Sequence, residues 1–322
     1  RQALERATGA GQLAVKARTV ESSLRFAETF PAHEKAPAVL GAAADDLYAM
    51  KDYERAIAAA NTLIGRYPDS EVALRRSAWI VVGHSSMDIT EYTQAEHAYA
   101  RVLELTAEED ESRPAIIDGL AAAIYKQGEQ ANLLEDYRAA ADHFLRVKAV
   151  APTSSIRTAA EYDAAAALMK LEDWQNAAGV LEEFRVAHGE HDLAEDATKQ
   201  LAHIYREDGQ LARSAAEHER IAAETEDPEL AREALLVAAD LYEEAEQTDS
   251  ALAVYEHYVA SYPAPLDVQL ETRNRIAGIH DERGETARYH DELREIVARD
   301  AEGGDERTGR TRYLAATAGL VL

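Results

Sequence analysis

Apolar residues along this chain recur at steps of three and four, in short blocks that face the same way and are broken by brief polar turns. Between residues 37 and 68, Leu40, Ala43, Ala44 and Leu47 form one stripe. After Lys51-Asp52, Tyr53, Ala56, Ile57, Ala60, Leu63 and Ile64 form a second. Such spacing places each set on one face of a helix, so the stretch reads as two amphipathic helices joined by a tight turn. Pro68 closes the second helix, because a proline ring cannot continue the hydrogen-bond ladder. Val and Ile are scattered rather than gathered in strand-like runs, and alanine is abundant, which favours helix throughout.

The pair repeats. A small residue opens the second helix at Ala56, Ala95, Ala140, Ala177, Ser214 and Ala251, at intervals of 39, 45, 37, 37 and 37 residues. Small side chains are needed where two helix backbones approach closely. The expected units are 36–68, 71–106, 113–152, 154–188, 192–226, 228–263 and 266–300, preceded by a helix at 12–31 and followed by one at 307–322. All lie in a single array spanning 1–322. The third unit is seven residues too long. Leu120–Gly128 reads as its usual first helix, so the surplus is expected as an extension of that helix through Glu129–Leu134, with a loop there as the alternative. Gly9-Ala10-Gly11 reads as a flexible linker.

Within the units the residue types resemble the tetratricopeptide pattern. The second gives Trp79, Val82 and Gly83, then Ala95, Tyr99 and Val102. The fifth gives Leu201, Ala202 and Tyr205, then Ser214, His218 and Ile221. The sixth gives Leu235, Ala238, Ala239 and Tyr242, then Ala251, Tyr255, Tyr258 and Pro263. The resemblance covers about residues 12–322. It implies an all-α fold: a right-handed superhelical solenoid of antiparallel helix pairs, about seven pairs plus flanking helices. Ends such as Arg66-Tyr67-Pro68-Asp69-Ser70 and Ser261-Tyr262-Pro263, with Phe30-Pro31-Ala32-His33, are similar in style to the bacterial envelope branch. That branch includes the outer-membrane β-barrel assembly lipoprotein and the periplasmic Tol–Pal coordinator.

In that family ligands lie in a concave groove lined by the first helix of each pair. Carried over position by position, the resemblance implies a partner-binding surface of Asp45, Tyr48, Ile80, His84, Met87, Tyr125, Tyr162 and Met169, then Lys199, His203 and Arg206, then Asp240, Glu243 and Asp281. Its middle is apolar and aromatic and its last units are acidic, so a protein or peptide segment with a basic end would complement it. Only Lys199 matches a lysine of the clamp that some members use for a carboxyl terminus, which argues against that activity.

Composition narrows the function. Sixty carboxylates against 34 Lys plus Arg give a net charge of −26, a field that repels nucleic acid and anionic lipid surfaces. The basic residues are 27 Arg and 7 Lys, which suits a GC-rich or salt-adapted source. Without cysteine there are no disulfides or thiolate sites, which fits periplasm or cytoplasm alike. No apolar stretch is long enough to cross a bilayer. The chain begins at Arg1 and stops at Gly319-Leu320-Val321-Leu322, and reads as a piece of a longer protein.

Candidate chemistry is sparse. His188, Glu190, His191 and Asp192 form a His-x-x-His group, but on a solvated loop rather than converging as a tight zinc site requires. His218 stands at the aromatic position of its second helix and reads as a core-lining imidazole. No phosphate-binding glycine loop, nucleophile elbow or zinc-protease motif occurs. No catalytic residue, metal or cofactor is assigned. The expectation is a non-catalytic protein-interaction scaffold of a bacterial envelope complex, periplasmic or envelope-associated, with a cytoplasmic location as the alternative. The competing readings are a self-associating structural module and an accessory domain of a larger enzyme.

Overall fold

The computed structural model describes residues 10–322, with side chains from Ala14 onward. Among these residues every regular element is a helix. The chain divides into two compact units, one ending at Leu171 and the other beginning at Glu172.

The first unit holds α1 (Ala10–Thr29), α2 (Ala36–Ala49), α3 (Tyr53–Arg66), α4 (Val72–Asp88), α5 (Tyr92–Glu104), α6 (Arg113–Leu133), α7 (Tyr137–Val150) and α8 (Arg157–Lys170). The second holds α9 (Trp174–Ala187), α10 (Ala194–Glu207), α11 (Leu211–Glu224), α12 (Pro228–Glu244), α13 (Thr248–Ser261), α14 (Leu266–Glu282), α15 (Thr286–Glu302) and α16 (Gly309–Val321). A short 3₁₀ turn at Gly304–Glu306 precedes α16. Within each unit successive helices pack on one another, the stacking of an α-solenoid. Gly11 lies inside α1, so the expected linker at Gly9-Ala10-Gly11 is helical from Ala10; Gly9 is outside the described residues.

The turns explain the regularity. Wherever the first helix of a pair gives way to the second, one residue has φ near +60°: Lys51, Thr90, Glu135, Glu172, Gly209, Glu246 and Gly284. The next residue donates back across the turn, Asp52 N–H to Leu47 O at 2.9 Å, Glu91 to Ser86 at 2.9 Å and Gln247 to Tyr242 at 2.8 Å. This is the Schellman closure, which satisfies carbonyls that the helix end would leave bare. Only two of the seven left-handed positions are glycine, so sequence punctuation marks these turns weakly.

Packing follows from the small residues. Ala56, Ala95, Ala140, Ala177, Ser214 and Ala251 are all fully buried. In the first unit Leu40, Leu47, Leu63 and Val82 fill the space between α2, α3 and α4. In the second, Leu235, Tyr255, Tyr258 and Ile276 do the same for α12, α13 and α14, and Leu266, Leu293 and Leu314 seat α16.

The surplus in the third unit lies at the other end of the helix, four residues in α6 and three in the loop before it. Gly128 of α6 meets Phe144 of α7 as Gly83 of α4 meets Tyr99 of α5, and the remainder of α6 ends where α4 ends relative to that crossing. α6 instead starts 15 residues before its crossing glycine, against 11 for α4, after a loop of eight residues (105–112) against five (67–71). Glu129–Leu134 is therefore the ordinary end of the helix and no extension. Seven residues make nearly two whole turns, so both phasings put the same stripe inward.

Candidate functional site

On the first helix of each pair the positions expected to meet a partner are all at least partly exposed, and each unit groups some of them. In the first, Asp45 and His84 are exposed while Tyr48, Ile80, Met87, Tyr125, Tyr162 and Met169 are half-buried. The rings of Tyr48 and His84 lie 5.8 Å apart, and His84 lies 5.9 Å from Tyr99. Desolvation among these rings lowers the His84 pKa, against the opposing pull of Asp88. It also raises the phenol of Tyr48, which Asp88 holds further in its protonated form. Tyr125 donates to Asp163 of α8, with its ring 5.1 Å from Phe144. Burial of the pair lifts the pKa of both groups. Partial desolvation, with Asp46 alongside, likewise raises the Asp45 carboxyl.

The second unit assembles a defined concavity. Lys199, His203 and Arg206, three of the expected residues, line one cleft together with Ala202, all on a single face of α10. Leu230, Glu233, Ala234 and Val237 of α12 form the opposite wall with the same i, i+3, i+4, i+7 spacing. His218 and Ile221 of α11 make the floor, and the enclosed volume is about 340 Å³. Ala202, Ile221 and Ala234 are buried, so the depth of the cleft is apolar. Burial, with the Arg206 guanidinium nearby, depresses the His218 pKa.

Two basic side chains and an imidazole stand at the rim. Lys199 reaches Glu195 at 2.7 Å. His203 lies edge-on to Trp174 at 6.1 Å and 4.0 Å from Glu207. The exposed Arg206 side chain meets no carboxylate among the described residues. The surface implied by the resemblance includes Lys199, His203 and Arg206 on the α10 side of this cleft, but on α12 it takes Asp240 and Glu243 rather than the face one step round. The repeated spacing of Leu230, Glu233, Ala234 and Val237 after Pro228 was the available signal.

Asp240 and Glu243 stand elsewhere, and their charge is answered from within. Arg275 of α14 lies 3.2 Å from Asp240 and 2.7 Å from Glu243. The buried Tyr255 hydroxyl donates to Asp240 at 2.9 Å. Asp281 is exposed on α14. Among the described residues no group of three or more His, Asp or Glu is placed to hold a metal ion. His191 instead accepts from the Leu193 N–H at 3.1 Å, and its ring lies 6.2 Å from Phe184. No described helix is long and apolar enough to cross a membrane.

The family model described as tetratricopeptide repeat matches residues 43–70 and 233–264, the α2–α3 and α12–α13 pairs. Two of the helix pairs thus match the tetratricopeptide repeat. Among similar solved structures is YrrB, described as a tetratricopeptide repeat protein with an unusual peptide-binding site. It is 15% identical with a TM-score of 0.35, and the match covers 65% of this chain and 96% of that one. A tetratricopeptide repeat protein from Parabacteroides merdae is 14% identical over 81% of this chain and 91% of its own, at a TM-score of 0.32. PilW, a type IV pilus biogenesis factor, is 15% identical over 72% and 96%, at 0.31. No curated protein matches the sequence.

Proposed function

We propose that this tetratricopeptide repeat protein is a non-catalytic scaffold that holds a segment of a partner protein along the first helices of its pairs. The observation that supports this most directly is the α10–α12 cleft, where Lys199, His203 and Arg206 converge above a floor of His218 and Ile221. Pockets of roughly 300–1,000 Å³ with a few polar groups at an apolar site are the usual shape of a binding site. In the first unit, half-buried Tyr125, Tyr162 and Met169 offer large apolar contacts of the kind that anchor interfaces. The Tyr-Pro endings at Tyr67-Pro68 and Tyr262-Pro263 support a place in a bacterial envelope complex.

Capture on the immobilised chain, followed by titration of the purified partner, tests the reading. Two double variants are compared with the wild type: Tyr162→Ala with Met169→Ala in the first unit, and Lys199→Glu with Arg206→Glu in the second. At least one should weaken binding by tenfold or more. If neither changes affinity, the first-helix faces are not the binding surface. Cell fractionation that leaves the protein wholly in the cytoplasm would remove the envelope assignment.

A further inference from the structure

We propose that the α10–α12 cleft takes an aromatic side chain of the bound partner segment, with a carboxylate directly beside that ring. This rests on the scaffold reading above and specifies the chemistry of one anchor within it.

The cleft opens beside an interior position that holds a polar side chain. Sixteen residues after the crossing position of the first helix, the second helix of several pairs carries a large apolar side chain, although the α2–α3 pair has the buried Ala60 there, after Ala44. Tyr99 follows Gly83, Phe144 follows Gly128, Leu181 follows Ala165 and Tyr255 follows Ala239. All four are buried. At the same step from Ala202 stands His218, half-buried and polar, and a cleft opens beside it. Its walls still carry apolar groups, Leu230 and Val237 on one side and Ala202 on the other. About 340 Å³ lined in this way accommodates an indole or phenol ring. A ring from outside would stand where Tyr99, Phe144 and Tyr255 stand in their own pairs.

The rim decides the sign of what accompanies the ring. On a chain of net charge −26, this cleft gathers Lys199, His203 and Arg206 on one edge. Its single acidic lining residue is Glu233, which is exposed. Arg206 meets no carboxylate among the described residues, so its guanidinium is available to a ligand's anion at one edge of the ring site. Its positive charge also favours the face of an aromatic over an aliphatic group.

Three small probes test this on the full chain: indole-3-propionate, its neutral amide, and the cation tryptamine. Binding is followed through the imidazole C–H signals of His218 and His203. The carboxylate should bind with a dissociation constant on the order of 1 mM, the affinity expected of a fragment of this size, and shift both histidines. The amide should bind several-fold more weakly and tryptamine more weakly again. His218→Phe should fill the cleft from inside and reduce binding at least tenfold without lowering the unfolding midpoint, so that the loss is not one of folding. Arg206→Gln should abolish the preference for carboxylate over amide while leaving the amide within about twofold. Absence of any His218 shift, or tryptamine binding as well as the carboxylate, would overturn the proposal. Partner capture that survives His218→Phe unchanged would also overturn it, while the scaffold reading would fall only if both double variants above were silent.

Discussion

Gly128 of α6 lies directly beneath the ring of Phe144 of α7: a Cβ at residue 128 would stand 2.6 Å from Phe144 Cε1 and 2.7 Å from Cδ1. No side chain fits that gap without moving a ring that is itself fully packed. Gly128→Ala is therefore expected to destabilise the fold by about 1–2 kcal/mol, the cost of overpacking less the helix propensity that alanine gains. At Gly83 the same Cβ would meet Tyr99 at 3.1–3.3 Å, so Gly83→Ala should cost less than Gly128→Ala. Urea denaturation of the two variants checks the order; equal costs would refute the register placed on α6.

Thr90 gives a prediction of opposite sign. Its φ of +64° belongs to the left-handed region, where a β-branched residue is rarely found. Gly209 and Gly284 take the same turn position in their pairs. Thr90→Gly should raise stability by roughly 0.5–1 kcal/mol, the relief of strain exceeding the entropy that glycine adds to the unfolded chain. A drop in the midpoint would show that the threonine side chain supplies more than the strain costs.

Arg275 holds two carboxylates and a buried phenol together. Its guanidinium lies within 3.2 Å of Asp240, Glu243 and the Tyr255 hydroxyl. Arg275 and Asp240 are half exposed, so solvent screening keeps the value of the cluster small. Arg275→Gln should cost about 0.5–1 kcal/mol at low salt, and the difference from wild type should shrink at high ionic strength. A cost that ignores salt would assign the effect to the packing of Arg275 over Tyr255 instead.

Three histidines set a pH dependence. Desolvation lowers the pKa of His84, His143 and His218 in the folded chain. The native state then binds fewer protons than the unfolded chain once pH falls below the ordinary histidine value of about 6.5. Their contribution is complete above that value and is lost progressively as pH falls toward the depressed folded values. The denaturant midpoint should therefore decline between about pH 7.5 and 5.5, and His218→Phe should flatten the decline. Asp45 and Asp163, whose carboxyls are raised, act in the opposite sense nearer the carboxylate range. A midpoint that rises on acidification through this window would refute the assignment.

The helices, their pairing and the near-37-residue period were legible in the sequence. The cause lies in local rules: stripes at three- and four-residue steps, one small residue at six of the seven crossings, and a tight turn five residues before it. Ala56, Ala95 and Ala251 announce their crossings because nothing larger fits there. The resemblance implied Lys199, His203 and Arg206 together as groove residues of α10, and the three line one cleft.

Two things waited for the tertiary structure. The placement of the third pair's surplus did, because α6 carries two glycines that serve two neighbours. Gly119 lies against Tyr99 of α5 and Gly128 against Phe144 of α7, and a stripe repeating every seven residues reads identically in either phase. The cleft at His218 did as well. A histidine at an interior aromatic position looks like core from its own helix. Whether it leaves a space depends on what α10 and α12 bring to the other sides, and that volume is a property of three helices together, which no single stretch of sequence contains.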